Sequence, residues 1–299
     1  GILSTTPRIE VILTGDKSLQ KRSMKKLILL LSEFGASFSP KKKYNFPLKL
    51  ISTDLPIGVK YEAGVSAQLK SAAILAGMNS YGNTIIIEKD KSRDHTENML
   101  LKNYHLIRIN NGKRRLIKIF GNKYINSLHT KIPGDPSSAA FFTALTVLCE
   151  NSSIRIKNVG LNETRTGFYR LLKKSGAKIY FKNLKKKNNE IFGDIVVKSC
   201  KLKPIKASKE YYVNSTDEYP ILFVIASLIK GTSIFKGISD LANKESNRIK
   251  EMQNILKQIG VKSKSTKDEI KIFGRGIFDA KNKKILVPNL GDHRICMSS

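Results

Sequence analysis

A short stretch in the last fifth of the sequence brings two basic residues and a carboxylate close together. Residues 241–252 read LANKESNRIKEM and contain Lys244, Glu245 and Arg248. If the stretch opens a helix, Lys244 and Arg248 share a face and repel by a few tenths of a kcal/mol, while Glu245 can pair with Arg248. The simplest interpretation is a solvated helix start with one ion pair. The alternative is a set of charges that converges on an anionic ligand.

Other polar residues lie where helices are expected to begin. Ser66 and Gln68 open an apolar helix, where free backbone N–H groups favour anions, although both residues also serve as plain caps. Asp217 and Glu218 open a second apolar helix, where a carboxylate is also a common cap. Several arginines adjoin predicted helix starts, namely Arg22, Arg93, Arg248 and Arg294. Their recurrence at equivalent places favours a ligand site over scattered surface charge.

Repeated segments supply the elements that would position these residues. Segments beginning at Val65, Asp135 and Ser215 each contain an apolar helix, a β-branched strand, a polar loop with an arginine and an amphipathic helix. The arginines are Arg93, Arg165 and Arg248. A partial copy opens the chain. The alternation of helix and strand predicts an α/β fold built from repeated βαβαββ units.

The length of 299 residues is typical of two domains. The segment KIPGDP at 131–136 concentrates proline and glycine between two repeats, and it predicts a crossover there. We therefore expect residues 1–132 to form most of one domain and residues 133–299 most of the other. The polar run at 183–190, NLKKKNNE, predicts a hairpin or a surface loop.

The net charge of +30 raises the question of a nucleic-acid partner. The basic residues are scattered, and the dense runs Lys41–Lys43 and Lys185–Lys187 lie in polar segments without interleaved aromatic residues. A general bias toward lysine explains this pattern better than an RNA-binding face does. We predict no nucleic-acid partner, although a field of this sign speeds the arrival of small anions.

The cysteines and the apolar segments limit the class further. Cys149, Cys200 and Cys296 show neither a CxxC pair nor metal-ligand spacing, which favours a reducing compartment and no metal site. Cys149 is expected in the core at the end of an apolar helix. The longest apolar stretch, 139–149, is too short to span a bilayer, so no membrane partner is predicted.

Eight motifs, taken together, resemble the 5-enolpyruvylshikimate-3-phosphate synthase family along the whole chain. They are LTGD at 13–16, SAQLKSA at 66–72, SRDHTE at 92–97, PGDPSSAAFF at 133–142, TRTG at 164–167, DEYP at 217–220, KESNRI at 244–249 and DHRICMS at 292–298. The resemblance implies a two-domain enolpyruvyl transferase fold with its active site in the interdomain cleft. It also implies transfer of the enolpyruvyl group of phosphoenolpyruvate to the 5-hydroxyl of shikimate 3-phosphate, with release of phosphate, as a step toward chorismate and the aromatic amino acids.

The resemblance also implies a role for each matching residue. Asp217 and Glu245 are the expected catalytic acid/base pair. The expected shikimate-3-phosphate ligands are Ser66, Ala67, Gln68, Arg93, Asp217 and Lys244. The expected phosphoenolpyruvate ligands are Arg22, Gln68, Arg248 and Arg294. Guanidinium groups suit phosphate and carboxylate ligands, a carboxylate can accept the hydroxyl proton, and the reaction needs no metal or organic cofactor.

The resemblance has departures and rivals. Asn247 and Cys296 replace the Asp and Ala that are usual in the family, and we expect both changes to be tolerated. Substrate-binding loops that the family carries beyond these motifs are absent, so the chain is expected to be a fragment that is inactive alone. The nearest rival is the enolpyruvyl transferase that acts on UDP-N-acetylglucosamine, and a basic RNA-binding protein is the rival from another class. We expect a cytoplasmic monomer.

Overall fold

The computed structural model describes residues 1–103, 105–276, 284–287 and 291–299. The chain divides into two compact units, Gly1–Thr130 and Lys131–Ser299. Each unit has its own hydrophobic core, because the buried apolar residues form one cluster between Leu30 and Ile119 and another between Ala139 and Ile295. No helix among the described residues is long and apolar enough to cross a membrane.

The first unit contains two copies of one supersecondary pattern. The first copy comprises α1 (Ile2–Thr5), β1 (Glu10–Leu13), α2 (Lys17–Lys21), α3 (Lys25–Glu33), β2 (Ser37–Ser39) and β3 (Leu48–Ile51). The second copy comprises β4 (Lys60–Ala63), α4 (Ala67–Met78), β5 (Asn83–Glu88), α5 (His95–Leu100), β6 (Ile107–Asn111) and β7 (Arg115–Phe120). The strand order is β1-β3-β2 in one sheet and β4-β5-β7-β6 in the other. The second copy is a complete βαβαββ unit.

The second unit repeats the pattern twice more. Its first copy comprises α6 (Pro136–Leu148), β8 (Ser153–Gly160), α7 (Gly167–Lys174), β9 (Lys178–Lys187) and β10 (Glu190–Lys198). Its second copy comprises β11 (Lys206–Ala207), α8 (Glu210–Val213), α9 (Tyr219–Ser227), β12 (Gly231–Lys236), α10 (Arg248–Gln258), β13 (Lys262–Ser265) and β14 (Glu269–Gly274), and α11 (His293–Ser298) follows. The sheets have the orders β8-β10-β9 and β11-β12-β14-β13.

The pairing pattern is the same in the two four-stranded sheets. In each, the first two strands are parallel, with α4 between β4 and β5 and with α8 and α9 between β11 and β12, and the remaining pairs are antiparallel. The three-stranded sheets keep the antiparallel part of this order. In the first copy of the second unit, a single parallel bridge between Gly134 and Val159 stands where the first strand would lie. The predicted α/β fold of repeated βαβαββ units is therefore confirmed.

Two local predictions have different outcomes. The polar run at 183–190 is a hairpin: β9 and β10 pair around Asn188 and Asn189, which both have positive φ. Cys149, expected in the core, is exposed at the end of α6, so that prediction is wrong. Phe142 and Leu145 of the same helix are also more than half exposed. Because α6 is apolar on every side, its periodicity could not indicate which face is buried.

Candidate active site

The N-terminus of α4 carries the expected residues Ser66, Ala67 and Gln68. Ser66 is the N-cap, and its side chain accepts a hydrogen bond from the backbone N–H of Leu69 at 3.4 Å. Ala67 is the first helical residue and Gln68 is exposed. The N–H groups of Ala67 and Gln68 belong to the first turn, where a helix offers them no carbonyl acceptor. The cap interpretation of Ser66 is thus correct, and it leaves this helix end suited to an anion.

Arg93 lies in the loop between β5 and α5 of the same copy. It is half-buried, whereas its neighbours Ser92 and Asp94 are buried at 1% and 4% exposure. Ser92 donates both its backbone N–H and its hydroxyl to Oε1 of Glu88, at 2.8 and 2.7 Å. The loop that presents Arg93 is therefore fixed from the protein interior.

Arg22 ends the short helix α2 in the first copy. Asp16 caps this helix by accepting a hydrogen bond from the Leu19 N–H at 2.7 Å, and Arg22 donates its own N–H to the Leu19 carbonyl. The Asn45 side chain donates to the Arg22 carbonyl at 3.0 Å. Arg22 is half-buried. The backbone of Arg22 is thus held by two hydrogen bonds, one to Leu19 and one from Asn45.

In the second unit, the helix α10 begins at Arg248 rather than before Lys244. Asn247 is its N-cap and accepts a hydrogen bond from the Lys250 N–H at 3.1 Å. Asn and Asp cap helices about equally well, which explains why Asn at this position is compatible with the fold. The expectation that Lys244 and Arg248 share a helix face is therefore wrong, because Lys244 and Glu245 precede the helix.

Arg248 lies at the centre of a group of carboxylates. It is 1% exposed. Its Nε and Nη2 donate to the two oxygens of Asp292 at 2.9 and 3.3 Å, and Nη2 also donates to Oε2 of Glu245 at 2.5 Å. Nη1 lies 3.8 Å from Oδ1 of Asp217. Among the described residues, Nη1 is a buried donor without a hydrogen bond. The solvated-surface interpretation of Arg248 is therefore wrong.

Asp217 lies between two arginines. Its Oδ1 faces Arg248, and its Oδ2 lies 4.0 Å from Nη2 of Arg294, which follows Asp292 at the start of α11. Asp217 precedes α9 in a short 3-10 turn, and no side-chain capping hydrogen bond forms at that helix start. The structure therefore brings Asp217, Glu245, Arg248 and Arg294 together. Asp217 is about one quarter exposed, so it remains accessible to a ligand.

Lys244 points to another carboxylate in this structure. Its Nζ lies 2.6 Å from Oδ2 of Asp240, which also accepts a hydrogen bond from the Tyr212 hydroxyl at 3.0 Å. The expected repulsion between Lys244 and Arg248 is thus offset by separate carboxylate partners rather than by a ligand alone.

The sequence interpretation assigned no role to Asp292. This residue is fully buried, and it holds Arg248, accepts a hydrogen bond from Ser246 at 3.0 Å and caps α11 through the Arg294 N–H. Burial alone would raise the pKa of the Asp292 carboxyl, but the hydrogen bonds and charge of Arg248 outweigh it and hold the pKa below its ordinary value. An Asp directly before the helix that carries Arg294 was the available signal.

Among the described residues, His, Cys, Asp and Glu form no group of three that could hold a metal ion. The groups that Asp217, Glu245, Arg248 and Arg294 offer to a ligand are carboxylates and guanidinium groups.

A family model described as EPSP synthase (3-phosphoshikimate 1-carboxyvinyltransferase) matches residues 1–299. The chain belongs to the EPSP synthase family. The resemblance drawn from the motifs is confirmed, and so is the enzyme class that it implied, an enolpyruvyl transferase of aromatic biosynthesis.

Individual proteins of similar sequence support the assignment of the chain to the EPSP synthase family. The chain is 41% identical over 293 residues to a 3-phosphoshikimate 1-carboxyvinyltransferase of Thermodesulfovibrio yellowstonii, covering 97% of the chain and 67% of that protein. It is 39% identical over 302 residues to the one from Aquifex aeolicus, covering all of the chain and 69% of that protein. The chain thus spans about two thirds of the length of these relatives.

Solved structures extend the likeness to three dimensions. EPSP synthase from Acinetobacter baumannii is 31% identical and superposes with a TM-score of 0.79, covering 99% of the chain and 67% of that structure. The enolpyruvyl transferase NikO from Streptomyces tendae is 12% identical with a TM-score of 0.62, covering 90% of the chain and 61% of that structure, which shows a shared fold.

Proposed function

We propose that the full-length protein containing this chain transfers the enolpyruvyl group of phosphoenolpyruvate to the 5-hydroxyl of shikimate 3-phosphate and releases phosphate. The observation that supports this most strongly is the placement of Asp217 between Arg248 and Arg294, with Glu245 on the same guanidinium group. Acid/base catalysis on anionic substrates needs carboxylates and cations within a few ångströms of each other.

Two carboxylates divide the proton transfers. Asp217, which is partly exposed, accepts the proton of the 5-hydroxyl as its oxygen adds to C2 of phosphoenolpyruvate. Glu245 acts as the acid of the pair and supplies the proton that C3 takes in the same step. The tetrahedral intermediate then loses phosphate from C2, and the phosphate takes up the proton held by Asp217. A proton from C3 returns to Glu245, which gives the enolpyruvyl ether and restores both catalytic groups.

Cations and helix amides bind the substrates. Ser66, Ala67 and Gln68 present the N-terminus of α4 to shikimate 3-phosphate, together with Arg93, Lys244 and Asp217. The phosphoenolpyruvate ligands are Arg22, Gln68, Arg248 and Arg294, a set that suits a doubly anionic molecule. The Nη1 donor of Arg248 is the atom that such a ligand would satisfy, because it is buried without a hydrogen bond among the described residues.

The test is a coupled assay of phosphate release by the full-length protein. Release should require both phosphoenolpyruvate and shikimate 3-phosphate, and mass spectrometry should find the enolpyruvyl ether. Release with UDP-N-acetylglucosamine as the acceptor, and none with shikimate 3-phosphate, would contradict the proposal and identify the sister transferase.

The association state, the compartment and the absence of a nucleic-acid partner belong to the same proposal. We propose a cytoplasmic monomer, and light scattering of the purified full-length protein measures its mass directly. Tight and steeply salt-dependent binding of random RNA would count against the view that the charge of +30 reflects general composition.

A further inference from the structure

Behind the N-terminus of α4 lies a buried group of four charged side chains, which we call the charge quartet: Lys70, Glu88, Glu97 and Arg115. Lys70, Glu88 and Glu97 are fully buried, and the Arg115 side chain is 12% exposed. Lys70 contacts Oε1 of Glu88 and Oε1 of Glu97, each at 2.8 Å. Arg115 contacts Oε2 of Glu88 at 2.7 Å and Oε1 of Glu97 at 3.0 Å. Two positive and two negative groups thus form a closed ring.

The charge quartet links the elements of one βαβαββ copy that carry the proposed shikimate-3-phosphate ligands Ser66, Ala67, Gln68 and Arg93. Lys70 lies on α4, one turn after Ser66, while Glu88 ends β5 and Glu97 lies on α5. Arg115 begins β7. A hydrogen bond of 2.7 Å between the Ser71 and Thr96 hydroxyls gives a second link between α4 and α5.

One carboxylate oxygen connects the start of α4, which carries Gln68, with the loop that carries Arg93. Oε1 of Glu88 accepts hydrogen bonds from Lys70 Nζ, from the Ser92 N–H and from the Ser92 hydroxyl, all between 2.7 and 2.8 Å. Lys70 is two residues from Gln68, and Ser92 is next to Arg93. One atom, Oε1 of Glu88, therefore contacts both the helix that carries Gln68 and the loop that carries Arg93.

Stability alone is a weak reason for such a group. Burying charges costs desolvation energy that their attraction roughly offsets, and apolar replacements of similar volume are often as stable. The ring differs from an apolar cluster because its ion pairs are directional contacts of 2.7 to 3.0 Å between particular atoms, whereas apolar contacts have no direction. Burial would raise the pKa of Glu88, yet the hydrogen bonds from Lys70 and Ser92 keep it below its ordinary value.

We propose that the charge quartet and Ser92 are positioning residues that hold Arg93 at a fixed distance from Ser66, Ala67 and Gln68, and that they thereby set the affinity for shikimate 3-phosphate. This inference rests on the proposed function, because it assumes that these residues bind that substrate.

The test uses Ser92→Ala in the full-length enzyme, since this change removes one hydrogen bond to Glu88 and leaves every ion pair intact. The KM and the equilibrium dissociation constant for shikimate 3-phosphate should rise about tenfold, or about 1.4 kcal/mol, because the loop that carries Arg93 loses one of its two hydrogen bonds to Glu88. The KM for phosphoenolpyruvate should change less than about threefold, because the change leaves Arg22, Arg248 and Arg294 in place.

A second variant tests whether the effect of Ser92→Ala arises only from a local change in the loop that contains Ser92. Lys70→Met combined with Glu97→Gln removes one charge of each sign and leaves the pair of Arg115 with Glu88. It should fold, as judged by thermal unfolding and circular dichroism, and still lose shikimate-3-phosphate affinity by at least the same factor. Ile86→Val is the matched control, because Ile86 is fully buried on the same strand as Glu88 and outside the quartet. It should lower the melting temperature with both KM values unchanged.

The outcomes separate this inference from the proposed function. If wild-type enzyme works and Arg93→Ala weakens shikimate 3-phosphate, but Ser92→Ala and the double variant keep normal KM values, the positioning role is overturned and the function stands. If the KM rises only in proportion to lost stability, as shown by an equal rise in Ile86→Val, the positioning role is also overturned. If wild-type protein binds no shikimate 3-phosphate, both proposals fail.

Discussion

At the scale of single residues, Asp217 has the most demanding role in the proposed reaction. It lies 3.8 and 4.0 Å from the guanidinium groups of Arg248 and Arg294, at distances that allow it to exchange these partners for a substrate. Asp217→Ala should therefore lower kcat far more than it raises KM, by roughly 10²–10⁴-fold. Steady-state kinetics of the full-length enzyme measure this directly, and near-normal turnover would refute the acid/base role.

Arg248 provides a prediction about binding rather than turnover. Arg248→Ala should weaken phosphoenolpyruvate binding by about 2–5 kcal/mol, since it removes a buried cation with an unused donor. Arg165→Ala is the matched control. Arg165 follows β8 as Arg248 follows β12, but it pairs with Asp135 at 2.7 Å and with the Ser137 hydroxyl. Titration calorimetry should find phosphoenolpyruvate affinity lost in the first variant and kept in the second.

The comparison of sequence with structure is also clearest at this scale. The family resemblance singled out Asp217, Glu245, Arg248 and Arg294, and the structure brings these four side chains together, while their catalytic and binding roles stay predictions. The sequence analysis did not identify Asp240 as the partner of Lys244 or Asp292 as the partner of Arg248. Arg248 and Asp292 are 44 residues apart, and no local pattern indicates that a folded chain brings them together.

At the scale of elements, the hairpin of β9 and β10 depends on one carboxylate. Asp194 lies at the irregularity in β10, where it accepts hydrogen bonds from the Asn158 N–H, Arg155 and Asn183. The Asn158 N–H, then Arg155 and Asn183, lower the pKa of Asp194 to about 2. Sequence patterning predicted a hairpin or a surface loop from the polar run at 183–190, but it could not predict the carboxylate that binds the irregular strand.

The depressed pKa gives a stability prediction with a definite sign. Because the folded pKa lies below the ordinary value of about 3.9, the stabilisation is present above about pH 4 and is lost as the pH falls toward 2. Asp194→Asn should reduce the free energy of unfolding at pH 7. The difference in this free energy between the variant and wild type should become smaller by pH 2. Urea unfolding across this range measures it. Glu150→Gln, which removes an exposed carboxylate from the same unit, is the control, and an equal effect from it would contradict the assignment.

At the scale of the whole molecule, two separate cores imply two unfolding units. The buried apolar clusters share no residue, and one lies in each compact unit. Calorimetry of the full-length protein should show more than one transition. Ile117→Ala in the first unit and Ile270→Ala in the second each create a cavity, at a cost of about 2–5 kcal/mol. Each should lower a different transition, whereas a single transition shifted by both would refute the prediction.

The repeats themselves were predictable from sequence at this scale, because apolar helices and β-branched strands recur in the same order. The length of the first strand of a copy was not predictable from the sequence. This strand has four residues in β4, two in β11 and a single bridge at Gly134, and such short segments carry too few residues for a two-residue period to be recognised.

The positions of the cysteines have a practical consequence. All three thiols of the sequence belong to the second unit, and Cys149 is exposed at the end of α6, away in sequence from every proposed ligand of that unit. A maleimide dye can therefore be attached to the second unit at a native side chain once Cys200, which is half-buried, and Cys296, two residues after Arg294, are replaced by serine. One engineered thiol on an exposed position of the first unit would complete a donor–acceptor pair. Energy transfer between the dyes would then report, molecule by molecule, whether anionic substrates change the separation of the two units.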